Sequence, residues 1–536
     1  MALFPSTSIP SAAGGYDIDN SCRFETSWLR RVNTSGSAKT KWTVSFWFKR
    51  SSLCTGSGWS NPFTQYLWNS DTSYAAGNQD AAVFLNGDRL AIYCASPNFS
   101  LWPVRLFRDT TAWYHLVVEV DSTQATNTNR VKVWINGVQE EVANMNGWAD
   151  NSALVWPTQN DTYDITNSNL IAQTIGGRET AANTMVMEFD GYISEFHFVD
   201  DTALTANTFG EYDEDYGHWK PKKVSGVTYG TTGYHLDFKD SGSLGNDANG
   251  SNNFTPTSIT ASDQSTDSPT NNFAVMNNLN NQPFATTFAE GNLEMTTGGS
   301  SQEPSNMATI GMSTGKWYFE VYQKSGSSAA LLGIRSQQPG TISPTAKDNP
   351  GKAADGYAFL GDSSYGNLVA GNSYVSYGTL IGYTTGDIIS VAVDIDNDKI
   401  YWAKNGTYVN SGDPTNPGGG TGHPITAVNS TSTGEYFPCF GDYSSGSYVF
   451  VVNFGQDGTF AGNKTAVGNE DDEGYGNFFY DVPAGFLALC SKNLPEPAVK
   501  PGEHFNTVLY TGDGASSHPI TGVGFKPDFL WQKNRS

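Results

Sequence analysis

The chain has 536 residues, 15 % charged and 13 % aromatic, with 57 glycines and a formal net charge of −23. The length allows about two to four domains, the acidic balance excludes counterion-release binding to nucleic acid as a main activity, and short apolar runs set among Gly, Asn, Ser and Thr favour many short strands over helices. No stretch reaches the ~18 apolar residues of a membrane span, and Cys22, Cys54, Cys94, Cys439 and Cys490 are scattered without a CxxC pair, which predicts buried, reduced thiols in place of a disulfide framework or zinc site.

Residues 1–16 are small, contain Pro and Gly, lack the basic and apolar regions of a secretory signal, and read as an arm outside any core. In "KWTVSFWFKR" (41–50), Trp42, Val44, Phe46 and Phe48 alternate with Thr43, Ser45, Trp47 and Lys49, the period of a strand whose first set faces inward. "AVFLNGDRLAIYC" is a hairpin joined through Asn86-Gly87, and "WYHLVVEVD" pairs with "RVKVWINGVQE", which turns at Asn136-Gly137. After the alternating "MEFDGYISEFHFVD" comes the one helical reading, "DTALTANTFGEYDED", with Asp201 or Thr202 as N-cap. Residues 211–275 thin into a connector with one strand around "GYHLDF" and with Trp219, Tyr229, Tyr234 and Phe238 to bury. A second block of strands fills 276–465, and 466–536 opens a third β module with too few strands to close its own core.

Within the second block, "DIDNDKIYWAKNG" (394–406) sets Asp394, Asp396 and Asp398 at alternate positions, as at the start of an EF-hand calcium loop. Such a loop needs Gly at its sixth position and a bidentate Glu at its twelfth, where Lys399 and Asn405 stand. The flanks alternate as strands with Ile389, Val391, Val393 and Ile395 on one face, so Asp394 and Asp396 are expected on the exposed side, Trp402 inward, and no metal or cofactor is called for.

Residues 17–205 resemble a laminin-G-like, concanavalin-A-like jelly roll through "KWTVSFWFKR", "WYHLVVEVD", "VKVWINGVQE" and "FDGYISEFHFVDDTAL". Residues 285–460 resemble a SPRY domain through "GKWYFEVYQ", "LLGIRS", "GYAFLG", "GDIISVAVDIDNDKIYWAKNG" and "VVNFGQDGTF". The order of these modules, with "FPSTSIPSAAGGYDIDNS", "DQSTDSPTNNF" and "GFKPDFLWQKNRS" around them, is similar to bacteriophage tail-fibre and related virion proteins. The resemblance implies an all-β chain: an arm at 1–16 that anchors to the virion, a jelly roll at 17–210, a structured connector at 211–275, a SPRY-like sandwich at 276–465, and the start of a further module at 466–536. It further implies other virion proteins and a host cell-surface glycan or protein as partners, a homo-oligomer of trimeric type, no nucleic acid, no membrane insertion, and a place on the tail or outer particle surface after synthesis in the host cytoplasm.

Concanavalin-A-like folds also house glycoside hydrolases, whose carboxylate pairs stand ~5–5.5 or ~6.5–9.5 Å apart. Glu188 and Asp190 share a strand face, but Ile193 occupies the place of the third carboxylate in an E-x-D-x-x-E set, and Glu195 falls on the opposite face of an unbroken strand. Phe189, Ile193 and Phe196 read as packing residues. His115, His197, His218, His235, His423, His504 and His518 form neither HxH nor HExxH, so His115 and His197 read as structural. "GGRETAAN" and "NPGGGTG" lack the Lys-Ser/Thr of a phosphate cradle and read as loops. The remaining chemistry is surface recognition through Tyr365, Tyr374, Tyr377 and Tyr443 of the second block and Trp59 and Trp102 of the first, aromatic side chains among small polar neighbours. The expectation is a non-enzymatic tail fibre or spike that binds a host glycan; the alternatives are a head-surface decoration protein and, in third place, a polysaccharide depolymerase.

Overall fold

The computed structural model describes the chain except residues 1–14, 55–63, 72–78, 96–97, 148–152, 167–171, 214–215, 281–285, 299–302, 338–347, 420, 445, 497–502, 516 and 534–536. Among the described residues there is no α-helix, only strands and short 3-10 turns, and so no helix long and apolar enough to cross a membrane.

The first sandwich packs one eight-stranded sheet on another. Lys41–Arg50 is central to the first sheet, antiparallel to Trp113–Asp121 on one side and to Gly191–Asp200 on the other. Trp42, Val44, Phe46 and Phe48 point from it into the core, where Trp42 meets Trp68 of the opposing sheet at 5.8 Å. The turns follow from backbone chemistry: Asn136 and Gly137 both have positive φ between the paired residues Ile135 and Val138, as a two-residue type I′ turn requires. The first hairpin turns one residue later than expected, at Gly87-Asp88, because Asn86 is still paired with Arg89.

The outer face of the first sheet, expected to meet solvent, is covered. Trp47 and Lys49 are buried, and Trp47 packs with Trp113, Tyr192, Phe209, Trp219 and Tyr229 into a third apolar layer. The covering strap runs through 206–229, and its described residues contain no α-helix: Ala206–Thr208 is a 3-10 turn, and Gly210–Tyr212 pairs antiparallel with Trp219–Pro221. Trp219 lies so tightly over Gly210 that a Cβ there would stand 2.4 Å from the indole ring, and a flat ribbon delivers that contact. Beyond the strap, Tyr234–Leu236 pairs with Gly191–Asp200, Thr255–Thr257 with Trp28–Arg31, and Gln264–Ser265 with Ser21–Phe24. The connector therefore supplies edge strands to both sheets of the first sandwich.

The second sandwich has a nine-stranded and a six-stranded sheet. Lys316–Ser325 and Ile388–Asp394 lie at the centre of the larger, and Ala330–Arg335 pairs with Gly356–Leu360 and Phe437–Asp442 in the smaller. Trp402 is fully buried and donates its indole N–H to the Leu332 carbonyl of the opposite sheet at 3.0 Å. Trp402→Phe keeps most of that packing but removes the indole hydrogen bond between the sheets, so a loss of about 1–2 kcal/mol is expected in denaturant melts. Residues 466–494 do not open a module of their own: Phe478, Phe486, Ala488 and Cys490 pack on Tyr318 and Tyr401 of the larger sheet, and Leu487–Ala488 adds a parallel edge to Lys316–Ser325. The described residues within 503–533 form no strand, and Phe505, Phe529, Leu530 and Trp531 are exposed. All five cysteines are buried thiols.

Candidate functional site

Three of the aromatic candidates converge although 78 positions separate the first from the last. Tyr365 lies in the turn after Gly356–Leu360, Tyr374 is in the edge strand Ser373–Val375 of the smaller sheet, and Tyr443 follows Phe437–Asp442. Their ring centroids form a triangle of 5.8, 6.4 and 6.5 Å. Tyr365 is 59 % and Tyr374 52 % exposed, so two rings of the triangle face solvent. Tyr443 is half-buried and donates its hydroxyl to Asp362 Oδ2 at 2.7 Å. Hydrogen bonds from the Ser364 side chain and backbone N–H, with that from Tyr443, hold the Asp362 carboxyl below its ordinary range, which places a firmly ionised acceptor beside the rings.

Asp362 also lines an open cleft of about 290 Å³ with Ser328, Ser363, Thr384 and Lys404. The Lys404 ammonium is tethered there, 2.8 Å from the Gly382 carbonyl and 3.0 Å from Asp387. Flat aromatic faces next to hydroxyls, one carboxylate and one ammonium form a surface for an amphipathic polar ligand with apolar patches and many hydroxyls.

The other aromatic candidates do not belong to it. Tyr377 is buried at 5 % exposure, edge-on to Trp402, and donates its hydroxyl to the Thr421 carbonyl, so it packs the core and presents nothing to a ligand. Trp102 is also buried: it lies in the strand Asn98–Pro103 with its ring edge-on to Phe84. Trp59 lies outside the described residues.

The aspartate ladder at 394–398 is consumed by its own turn. Asp394, expected on the exposed side, is fully buried and pairs with Lys316 at 3.3 Å while accepting from Asn397. Asp396 accepts from the Gly315 N–H and the Thr314 hydroxyl. These carboxylates cap strand ends and point to different partners.

The acidic strand Gly191–Asp200 departs from its expected alternation at a β-bulge between Ser194 and His197, where Glu195 has φ of 48°. The extra residue lets both Ile193 and Phe196 enter the core and turns Glu195 to the outer face. There it meets His197 and, from the paired strand, His235. Burial alone would raise Glu195, but hydrogen bonds from His197 and His235 hold it well below the usual carboxylate range. Burial lowers His197 to about 4. The absence of HxH or HExxH hid this group because its members join across a strand pair. Asp190 is raised to about 6 by burial, beside the core residue Phe189.

Residues 500–536 match the family model of a domain of unknown function, DUF7483. No curated protein matches the chain. Among solved structures, the chain is similar to the SPRY domain of human HERC1, with 20 % identity over 33 % of this chain and 96 % of that one and a TM-score of 0.24. It is also similar to a protein described as a candidate carbohydrate binder from Bacteroides ovatus, with 14 % identity over 46 % of this chain and 60 % of that one and a TM-score of 0.30. A third likeness is to a native heptameric SAP-like pentraxin from Limulus polyphemus, with 18 % identity over 36 % of this chain, 80 % of that one and a TM-score of 0.23.

Proposed function

We propose that this chain is a non-enzymatic recognition protein that binds a surface glycan through the second sandwich, with Tyr365, Tyr374 and Tyr443 as the platform and Asp362 as the polar anchor. The observation that carries the reading is the exposed tyrosine triangle beside a cleft with fixed charges. A sugar ring offers C–H faces to the aromatic rings and hydroxyls to the Asp362 carboxylate and the Lys404 ammonium, so both halves of the patch are used. The strong negative charge of the chain favours neutral or cation-bearing glycans over polyanionic ones.

The finer part of the proposal is that the chain acts on a bacteriophage particle, as a tail fibre or spike. The order of the two sandwich modules and of the segments between them supports that reading. Copies tethered to one particle would convert weak single contacts into lasting attachment, since avidity needs no new contact, only geometry that permits simultaneous engagement.

Tyr365→Ala combined with Tyr374→Ala is expected to weaken binding to a host-derived polysaccharide about 10-fold or more while the melting temperature stays near wild type, because exposed side chains contribute little to stability. Glycan-array binding and biolayer interferometry measure it. Wild-type binding that survives the double substitution removes the tyrosine site, and labelled electron microscopy that places the chain on the head shell removes the tail reading.

A further inference from the structure

We propose that Glu195, His197 and His235 bind a divalent first-row transition cation, with zinc the ion best suited to one carboxylate and two imidazoles. The three ligand atoms all lie within 4.8 Å of one another. Glu195 Oε2 stands 3.3 Å from His197 Nε2 and 3.0 Å from His235 Nε2. Ligands held ~2.0–2.1 Å from a tetrahedral zinc ion are roughly 3.3 Å apart, which these two spacings match, and a tilt of the stacked imidazoles brings their lone pairs onto one ion.

The fold builds this arrangement twice over. Glu195 and His197, two residues apart, project to one side of the strand, and the bulge turns that side to the outer face. Strand pairing sets His235 directly opposite His197, the two rings stack at 4.1 Å with 18° between their planes, and both Nε2 atoms reach Glu195 Oε2. Two hydroxyls then fix the ligands from behind: Tyr16 donates to Glu195 Oε1 at 3.3 Å, and the Tyr229 hydroxyl lies 2.7 Å from His197 Nδ1. Outer partners of this kind orient the imidazole and carboxylate ligands of metal centres.

Proton accounting is straightforward. With the cation on Nε2, a neutral His197 carries its proton on Nδ1 and donates it to the Tyr229 oxygen, a role a hydroxyl accepts as readily as it donates. His235 ligates through Nε2 in the tautomer that carries its proton on Nδ1, and Glu195 ligates as a carboxylate. Glu195 and His197 are buried, whereas the His235 side chain is 17 % exposed and marks the side from which an ion enters. Three protein ligands leave a fourth position to solvent. The bound ion would clamp the strand Tyr234–Leu236 to Gly191–Asp200, and with it the strap that carries Tyr229. The site is remote in sequence from the tyrosine triangle and does not depend on the glycan reading.

The test is a calorimetric titration of the chelator-stripped full chain with zinc chloride, with cobalt(II) absorption as a second readout. One equivalent of zinc bound, a higher melting temperature and a four-coordinate cobalt spectrum are expected. His235→Gln, which keeps a hydrogen-bond donor toward Glu195 but offers no imidazole, abolishes all three, and Tyr229→Phe weakens zinc about 10- to 100-fold. His518→Ala, at an exposed histidine paired with Asp513 far along the chain, leaves binding unchanged. Lack of saturable binding by the wild type, or binding that survives His235→Gln in a protein with unaltered circular dichroism, overturns the proposal.

Discussion

Lys49→Ala is expected to cost about 3–5 kcal/mol and to split the thermal unfolding of the chain into two transitions. The Lys49 ammonium is buried at the junction of the sandwiches and uses its three donors on Asp267 Oδ2 at 2.7 Å, Asn272 Oδ1 at 2.8 Å and the Phe273 carbonyl at 3.5 Å. Its base is on the central strand of the first sandwich, whereas Asn272 and Phe273 are bound to the second, Asn272 through the Ser491 hydroxyl and Phe273 through a bridge to Cys490. Removal of the lysine leaves Asp267 fully buried with the Trp113 indole N–H as its remaining side-chain donor at 3.0 Å. The uncompensated carboxylate, more than the lost attraction, is what costs stability. Lys49→Met with Asp267→Leu should recover most of the loss, because a buried pair replaced by apolar side chains of similar volume is often neutral. A second tie is built alike: Arg23, also buried, reaches Asp457 of the second sandwich at 3.2 Å as well as Glu290 and Asp263. Differential scanning calorimetry of the two variants checks the result, and a single unshifted transition in Lys49→Ala would mean that the sandwiches are joined by other means.

Local chemistry made much of this fold readable. The Asn136-Gly137 and Asn405-Gly406 turns, Trp402 facing inward and the inward set of 41–50 each depend on residues within a few positions of one another, and the structure places them as the pattern requires. What was not readable depends on cover from far along the chain. Lys49 and Trp47 occupy the polar-side positions of their strand, yet segments more than 150 residues later close over them. The bulge at Glu195 breaks parity by one residue, and no residue type announces it, so Glu195 was assigned to the wrong face. Tyr365, Tyr374, Tyr377 and Tyr443 look alike in sequence because each is an aromatic among small polar residues. Strand order decides that one of them packs against Trp402 while the other three gather at the edge of the smaller sheet. The helix expected at 201–215 failed for the same reason: the local pattern could serve a helix, but the apolar face of a sheet waiting to be covered favoured a ribbon.

Acidification should loosen the first sandwich before the second, through His115. This residue is 1 % exposed, and its Nδ1 accepts the Trp219 indole N–H at 2.9 Å, a group that can only donate, which assigns the remaining proton to Nε2, 2.9 Å from the Ser45 hydroxyl. Burial, with the neighbouring His197 imidazole, pushes His115 down to about 3. The indole N–H explains the direction as well, since a proton on Nδ1 would face another donor. In the unfolded chain the histidine titrates near 6.5. A folded-state value below the unfolded one means that stability is fully present above about pH 6.5 and is lost as the pH falls, at about 1.4 kcal/mol for each unit until the folded value is approached. Between pH 6.5 and 4.5 this amounts to about 2–3 kcal/mol from one residue. The depressed His197 and the low Glu195 carboxyl act in the same direction, whereas relief of the −23 net charge opposes them across the whole chain. His115→Gln separates these contributions: it is less stable than wild type at pH 7.5, but its stability should fall less steeply to pH 4.5, with the difference in slope belonging to His115. Urea melts across that range, followed by Trp emission, measure both curves. Parallel curves would mean that His115 titrates alike in the folded and unfolded chain and that the Trp219 indole does not hold its Nδ1 unprotonated.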